Sequence, residues 1–202
     1  MTQIAESGRV VVIAGAVLTG GASTRMGTDK ALFEVDGTPM AVRVAAALRA
    51  AGCGPVALIG GDPARLGPLG ESLVPDVAPG EGPAGGIMSA LRVLGGAAAW
   101  VLIASCDLPY LTPSQLLPLL AAIGPDDRAG ADLDVVVSTT DRIQPLCALW
   151  RSTTSTHVDD AFASGVRSVF GLLDGLRVRE VPVEPDGLRN VNTAADLRAG
   201  PR

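Results

Sequence analysis

Short apolar stretches alternate along the chain with clusters of glycine, proline and polar residues, and their lengths and spacing predict its elements. Val10 to Leu18 is apolar, rich in β-branched residues and short, which predicts a buried strand rather than a helix. FEVDGTPM predicts a short extended piece, a turn at Asp36-Gly37, and a helix start with Thr38 as N-cap and Pro39 at the first helical position. The alanine-rich AVRVAAALRAAG continues that helix to a stop at Gly52. VALIG, residues 56–60, predicts the next buried strand. Strand, loop, helix, strand in that order is the βαβ unit of a parallel sheet covered by helices.

Beyond it, GGDPARLGPLGES reads as a polar, breaker-rich connection, and LVPD as a strand ending at Asp76. The glycine- and proline-rich run from Asp76 to Gly86 predicts a functional loop, with GIMSALRVL as a helix after it. Gly85 and Gly86 then fall at a helix N-terminus, a favourable place for phosphate. Trp100 to Ser105 predicts a central buried strand, with Asp107 as its first charged residue before a break at Pro109. Pro113 to Ile123 reads as a helix, DRAGADLD as an acidic loop, and DVVVST and PLCALW as strands. Helical patterns cover 151–164 and 166–174, and VREVPV is a late strand near an edge because Pro182 lies inside it. Asn190 to Thr193 precede a final short helix, AADLRAG. With no internal repeat and no linker, the expectation is a single α/β domain over 1–202 with a mostly parallel sheet, residues 1–9 forming a flexible N-terminal tail.

Composition narrows the function classes. A chain of 202 residues with 48% hydrophobic content can build one full-sized core. A net charge of −5 argues against a nucleic-acid binder. Glycine, proline or charge interrupts every long apolar run, so no membrane span is expected, and MTQIAESGR does not read as a signal peptide. Cys53, Cys106 and Cys147 lack zinc spacing and read as free, buried thiols of a cytoplasmic protein. His157, the only histidine, sits in the polar run STTSTHVDD, which suggests an exposed helix face rather than a catalytic triad.

The chemistry concentrates at the end of the first strand. From Thr19 to Lys30, glycines and small hydroxyl residues combine with Arg25 and Lys30, so backbone N–H groups and two cations can converge on an anion. Walker spacing is absent, since Thr28 and Asp29 separate Gly27 from Lys30, and Gly20, Gly21 and Gly27 do not make a dinucleotide fingerprint. Asp107, at the tip of a parallel strand, is suited to Mg²⁺, which takes one or two carboxylates plus phosphate oxygens. A plainer reading, an aspartate capping the turn before Pro109, stays open. No credible general base is present, which fits an acceptor that is itself a phosphate monoester, already largely dianionic at neutral pH with a second pKa of about 6. These residues together suit nucleotidyl transfer, with Arg25, Lys30 and Asp107 as catalytic groups.

L-T-G-G-x-S-x-R-M-G-x-D-K resembles the signature of the molybdenum cofactor guanylyltransferase family of nucleotidyltransferases, usually L-A-G-G-x-S-x-R-M-G-x-D-K; Thr19 departs from the alanine. The likeness continues through D-x-x-P-G-x-G-P-A-G-G-I from Asp76, C-D-L-P-Y at 106–110, and N-V-N-T at 190–193. It implies a three-layer, Rossmann-like nucleotidyltransferase fold, Mg²⁺ held by Asp107, GTP as donor and molybdopterin as acceptor. It also implies transient contact with molybdenum-insertion proteins and apo-molybdoenzymes. Nucleotide contacts carry over to Leu18, Thr19, Gly20, Gly21, Ser23, Gly27, Lys30, Asp76, Gly85, Gly86 and Asp107. Acceptor contacts carry over to Gln144, where the family commonly has histidine, and to Arg167, Asn190 and Asn192. Arg167 reads equally as a surface arginine, and Asn192 or Thr193 equally as the cap of the last helix.

The family often has asparagine near the end of the second strand, where this chain has Ile59, Gly60 and Gly61, leaving base contacts to backbone or to Asp62. Rival readings are a cytidylyltransferase of the same cofactor, a sugar-phosphate nucleotidyltransferase, and a non-catalytic carrier of nucleotide or cofactor. Gly20 favours guanine over cytosine, because the missing Cβ leaves room for a purine.

Overall fold

The first apolar stretch forms β1, Ile13–Leu18, buried beyond its opening residue. The computed structural model describes residues 11–20, 29–124, 127, 131–193 and 196. The proposed tail at 1–9, the loop residues Gly21, Ser23, Arg25 and Gly27, and most of AADLRAG lie outside them.

After β1, a small antiparallel ribbon pairs β2, Glu34–Val35, with β3, Thr38–Pro39, around the expected Asp36-Gly37 turn. That pairing changes the expected helix start. Thr38 and Pro39 are held opposite Val35 and Glu34, so Pro39 is the N-cap and α1 runs Met40–Ala50. The chain then forms β4, Val56–Ile59. The connection beyond it contains a short helix, α2, Pro63–Leu66, whose first turn is capped by Asp62, and leads to β5, Ser72–Val74. β5 stops short of the expected Asp76.

The glycine-rich stretch yields earlier than expected to α3, Gly82–Leu94. Pro83 fits its first turn, where a missing N–H leaves no helix bond unmade. β6, Trp100–Ser105, follows as anticipated, and α4, Pro113–Ala121, starts at the expected residue but ends two residues short of Ile123. β7, Val135–Thr139, and β8, Ile143–Arg151, form a hairpin, with β8 longer than the apolar PLCALW. α5, Ser155–Ala163, α6, Val169–Leu173, and β9, Val178–Pro182, complete the order.

Seven strands make one sheet in the order β5-β4-β1-β6-β8-β7-β9, with β9 at the edge where Pro182 is tolerated. All pairs are parallel except those made by β8, which runs against both β6 and β7. Helices cover both faces. α1 and α4 pack on one through residues such as Val44, Leu48, Leu116 and Leu119, and α3, α5 and α6 pack on the other through Ile87, Leu91, Val158 and Leu172. This is the three-layer α/β domain that the pattern implied. The chain leaves β1 toward β4 and β5, then returns to place β6 on the other side of β1. Such a reversal opens a crevice beyond the C-terminal ends of the two strands, where α/β sheets bind ligands.

The three cysteines are buried and free, and burial raises the Cys53 thiol to about 12 and that of Cys147 to about 11. His157 departs from expectation: it is half-buried on α5, with Cε1 toward Gly175 and a fully buried Nε2 that has no described partner.

The edge strand is fastened by Asp134, whose carboxylate accepts from the Arg177 backbone N–H and from its Nε and Nη2, each at 2.9 Å. Hydrogen bonds from the Arg177 side chain are the main reason that the Asp134 carboxyl titrates at about 2, below its ordinary 3.8. A depressed carboxyl stabilises the fold fully above its unfolded value and loses that contribution as pH falls through the folded one. Urea denaturation between pH 5 and pH 2 is therefore expected to show a smaller acid-induced loss of stability in Asp134→Asn than in the wild type.

Candidate active site

Six residues of β1 pair in parallel with six of β6, ending with Leu18 opposite Ser105. Thr19 and Asp107 thus leave the sheet from adjacent strand tips, and the Cys106 N–H bonds back to the Leu18 carbonyl at 3.1 Å. Asp107 Oδ1 is buried without a hydrogen-bond partner. A buried carboxylate oxygen left unpaired is costly, and a cation is the chemical partner that would satisfy it. Among the described residues no three His, Cys, Asp or Glu side chains converge as a metal cluster. A site completed by substrate phosphates needs no such cluster.

Lys30 opens a short 3₁₀ turn, Lys30–Leu32, capped by Asp29 through the Ala31 N–H. From there its Nζ donates to Asn192 Oδ1 at 2.6 Å, joining segments 162 positions apart. The charges meet around Cys106. Burial first, then the negative charges of Asp107 and Asp29, push its thiol upward, and Lys30 acts against them.

The C-terminal motif is aimed by its apolar centre. Val191 is fully buried in a small cluster with Val35 and Met40, and its N–H donates to the Asp107 carbonyl at 2.8 Å. Its neighbours Asn190 and Asn192 are exposed. Thr193 and Asp196 exchange reciprocal bonds in the manner of a capping box, Asp196 N–H to Thr193 Oγ1 and Thr193 N–H to Asp196 Oδ2. Thr193 therefore takes the cap, and the Asn192 side chain is left to meet Lys30.

On the other side of β1, Thr19 explains its own departure from the family signature. Its hydroxyl lies 3.0 Å from the Ile59 carbonyl and 2.9 Å from that of Gly60, fastening the β1 tip to the β4 tip. Gly60 has φ +79°, and a Cβ there would come within 3.1 Å of Gly20 Cα, so only glycine lets the two turns touch. The side chain of Asp62 is spent on capping α2, accepting from the Ala64 N–H at 2.9 Å. Backbone thus dominates the region where the asparagine is missing.

Asp76 is tied by one oxygen and open at the other. Oδ1 accepts from the Ala78 N–H and lies 2.8 Å from Ser89 Oγ, while a Cβ on Gly20 would sit 3.6 Å from Oδ2. Ser89, fully buried on α3, also takes the Val77 N–H and lies 2.8 Å from the Gly85 carbonyl. The sequence reading missed this residue, because a serine inside an apolar helix carries no signal of its partners. Gly85 and Gly86 lie within α3 rather than ahead of it. A Cβ on Gly85 would come within 2.9 Å of the Ala78 carbonyl oxygen, so its smallness lets the helix pack on the loop.

Gln144 and Asn190 line one cleft with Asp107. Arg167 does not line it: its Nε donates to Glu81 Oε2 at 2.5 Å, its Nη1 bonds to the Phe162 carbonyl, and its guanidinium stacks on the Phe162 ring. Glu81 is the N-cap position of α3, so this pair bridges the glycine-rich loop and the α5–α6 connection.

Comparison with known proteins bears on this geometry. Residues 15–177 match the family described as a MobA-like NTP transferase domain. The chain belongs to this family. As a member of the MobA-like family it is a nucleotidyltransferase. The molybdenum cofactor guanylyltransferase of Rhodobacter capsulatus is 34% identical over 189 residues, covering 92% of this chain and 93% of that protein. Among solved structures, the molybdopterin-guanine dinucleotide biosynthesis protein A of Archaeoglobus fulgidus superposes with TM-score 0.72 at 24% identity, over 92% of this chain and 95% of its own. A 4-diphosphocytidyl-2C-methyl-D-erythritol synthase of Anaerococcus prevotii superposes with TM-score 0.70 at 14% identity, over 94% of both chains. Both structural likenesses are of fold.

Thr19→Val keeps the shape of the family-divergent residue and removes its hydroxyl. It is expected to lower stability by about 1 kcal/mol in urea denaturation, with Thr19→Ser retaining most of it.

Proposed function

We propose that this protein transfers GMP from GTP to the terminal phosphate of molybdopterin, with or without molybdenum, releasing pyrophosphate and forming the molybdopterin guanine dinucleotide. The observation that carries the reading is the 2.6 Å contact between Lys30 and Asn192, which joins the donor loop to the C-terminal motif beside Asp107. The name of the Rhodobacter capsulatus relative supports the guanylyl and molybdenum-cofactor parts.

In this reading the loop following β1 grips the triphosphate through backbone N–H groups of residues 20–27, with Arg25 and Lys30 neutralising charge on the α-phosphate and the departing pyrophosphate. An acceptor phosphate oxygen attacks the α-phosphorus, and the bond from the α-phosphorus to the oxygen bridging the β-phosphate breaks. No residue has to remove a proton, since the nucleophile is an ionised phosphate. Asp107 is the residue that would hold Mg²⁺; its buried, unpartnered oxygen fits that task. When bound, Mg²⁺ would supply charge neutralisation to the phosphates.

Asp76 Oδ2 and the bare position at Gly20 support a purine. A Cβ at Gly20 would meet only ordinary contacts, 3.6 Å or more from its neighbours, so protein packing alone does not demand glycine there. Asn190, Asn192 and Gln144 face the acceptor. Leu18, Thr19, Gly60 and Gly85 act by shaping the donor turns.

Parallel incubations with Mg²⁺, molybdopterin and either GTP or CTP, and with a sugar phosphate as rival acceptor, test the reading by pyrophosphate release and product mass. A guanylyl product formed only with molybdopterin is expected; a cytidylyl or sugar product, or nucleotide binding without turnover, would overturn it. In the same assay Asp107→Ala is expected to lose at least about a hundredfold in Mg²⁺-dependent turnover while retaining the wild-type melting temperature within a few degrees.

A further inference from the structure

The cleft beside Asp107 has a volume of about 270 Å³ and is walled by the Arg142–Pro145 stretch at the start of β8, by Phe170 on α6, and by Asn190. Phe170 is 57% exposed, more than any other large apolar side chain among the described residues. Its helix is packed through Val169 and Leu172, both buried, so the core does not require the ring at 170. An aromatic face left in water beside amides and a guanidinium matches a flat heterocycle, which stacks on the ring while its edge hydrogen-bonds.

The polar groups around the ring have capacity to spare. Gln144 Nε2 donates once, to Thr140 Oγ1 at 3.2 Å, leaving its carbonyl and a second N–H. Asn190 is exposed, held at its place by the burial of Val191 next to it. Arg142 is exposed and has no salt bridge with a described residue, whereas Arg167 is engaged by Glu81 and the Phe162 carbonyl. The cation available on this wall is therefore Arg142, not Arg167.

We propose that Phe170 is the stacking platform, and Arg142 the anion contact, for an acceptor made of a flat pterin-type heterocycle with a phosphate-bearing side chain. The acceptor class rests on the guanylyl-transfer reading; the two residues are read from the cleft itself. The ring stacks on Phe170, its amide-like edge meets Asn190 and Gln144, and Arg142 draws in the anionic side chain on the path to Asp107. Arg167 then serves as a positioning residue, bracing the connection that carries Phe170 against the N-terminus of α3.

Two measurements on the full chain separate this from the proposed function. The first is fluorescence titration with a soluble pterin carrying a side-chain phosphate monoester, and with the same pterin dephosphorylated. The second is steady-state turnover with GTP and molybdopterin. Phe170→Ala is expected to weaken both pterin probes and to raise KM for molybdopterin roughly tenfold, with KM for GTP unchanged, and Phe170→Trp to restore both. Arg142→Ala is expected to weaken the phosphorylated probe alone. If the guanylyl product forms and Phe170→Ala leaves probe affinity and molybdopterin KM at wild-type values, the cleft proposal falls and the function stands. Probe binding that depends on Phe170 without any guanylyl product would leave the cleft proposal standing and sink the function. A wild-type chain that binds neither probe overturns the cleft proposal outright.

Discussion

Everything at the candidate site depends on the parallel pairing of β1 with β6 across the point where the strand order reverses. Backbone hydrogen bonds fix the register of these two buried strands, and a slip by one residue would turn every core side chain to the wrong face. The register ends both strands together, at Leu18 and Ser105, so the glycine-rich turn and Asp107 emerge side by side. Neither segment needs a specific contact with the other to meet. Their meeting follows from core packing on both sides of the sheet.

Around that tip, three further ties set the shape of the opening. Thr19 clamps the β1 and β4 turns, Ser89 knots the Asp76 loop to α3, and buried Val191 draws the asparagine motif against Asp107. In the last two cases a hydroxyl or apolar residue does the holding while a neighbouring polar group, Asp76 Oδ2 or the Asn190 side chain, is left open. Asp76 shows the division within one side chain: Oδ1 belongs to the loop, and Oδ2 faces the space beside Gly20.

Much of this was legible in the sequence. Strands buried on both faces read as apolar runs, so β1, β4 and β6 stood out, as did Asp107 as the first charge after such a run. The limits of legibility also have physical causes. The α3 start was misplaced because Gly82 and Pro83 look like loop residues, although a first helical turn tolerates both. His157 looked exposed from its polar neighbours, since a helix face is set by three-dimensional packing that local composition does not report. Arg167 carried a motif-based expectation that its ion pair with Glu81 redirected, and that pairing spans 86 positions. Phe170 gave no signal at all, because a single aromatic in a helical pattern reads as core until its exposure is seen.

The reversal of β8 carries a consequence of its own. One side of the candidate site is built where strands end, on turns whose positions are dictated by the core behind them. The opposite wall is built where a strand begins, beside the exposed hairpin tip around Arg142, ahead of the buried part of β8. Exposed hairpin tips accept changes in sequence and length at little cost to folding. Changes at the near end of this single antiparallel strand would therefore reshape that wall while leaving the turns at the ends of β1 and β6 where the core holds them.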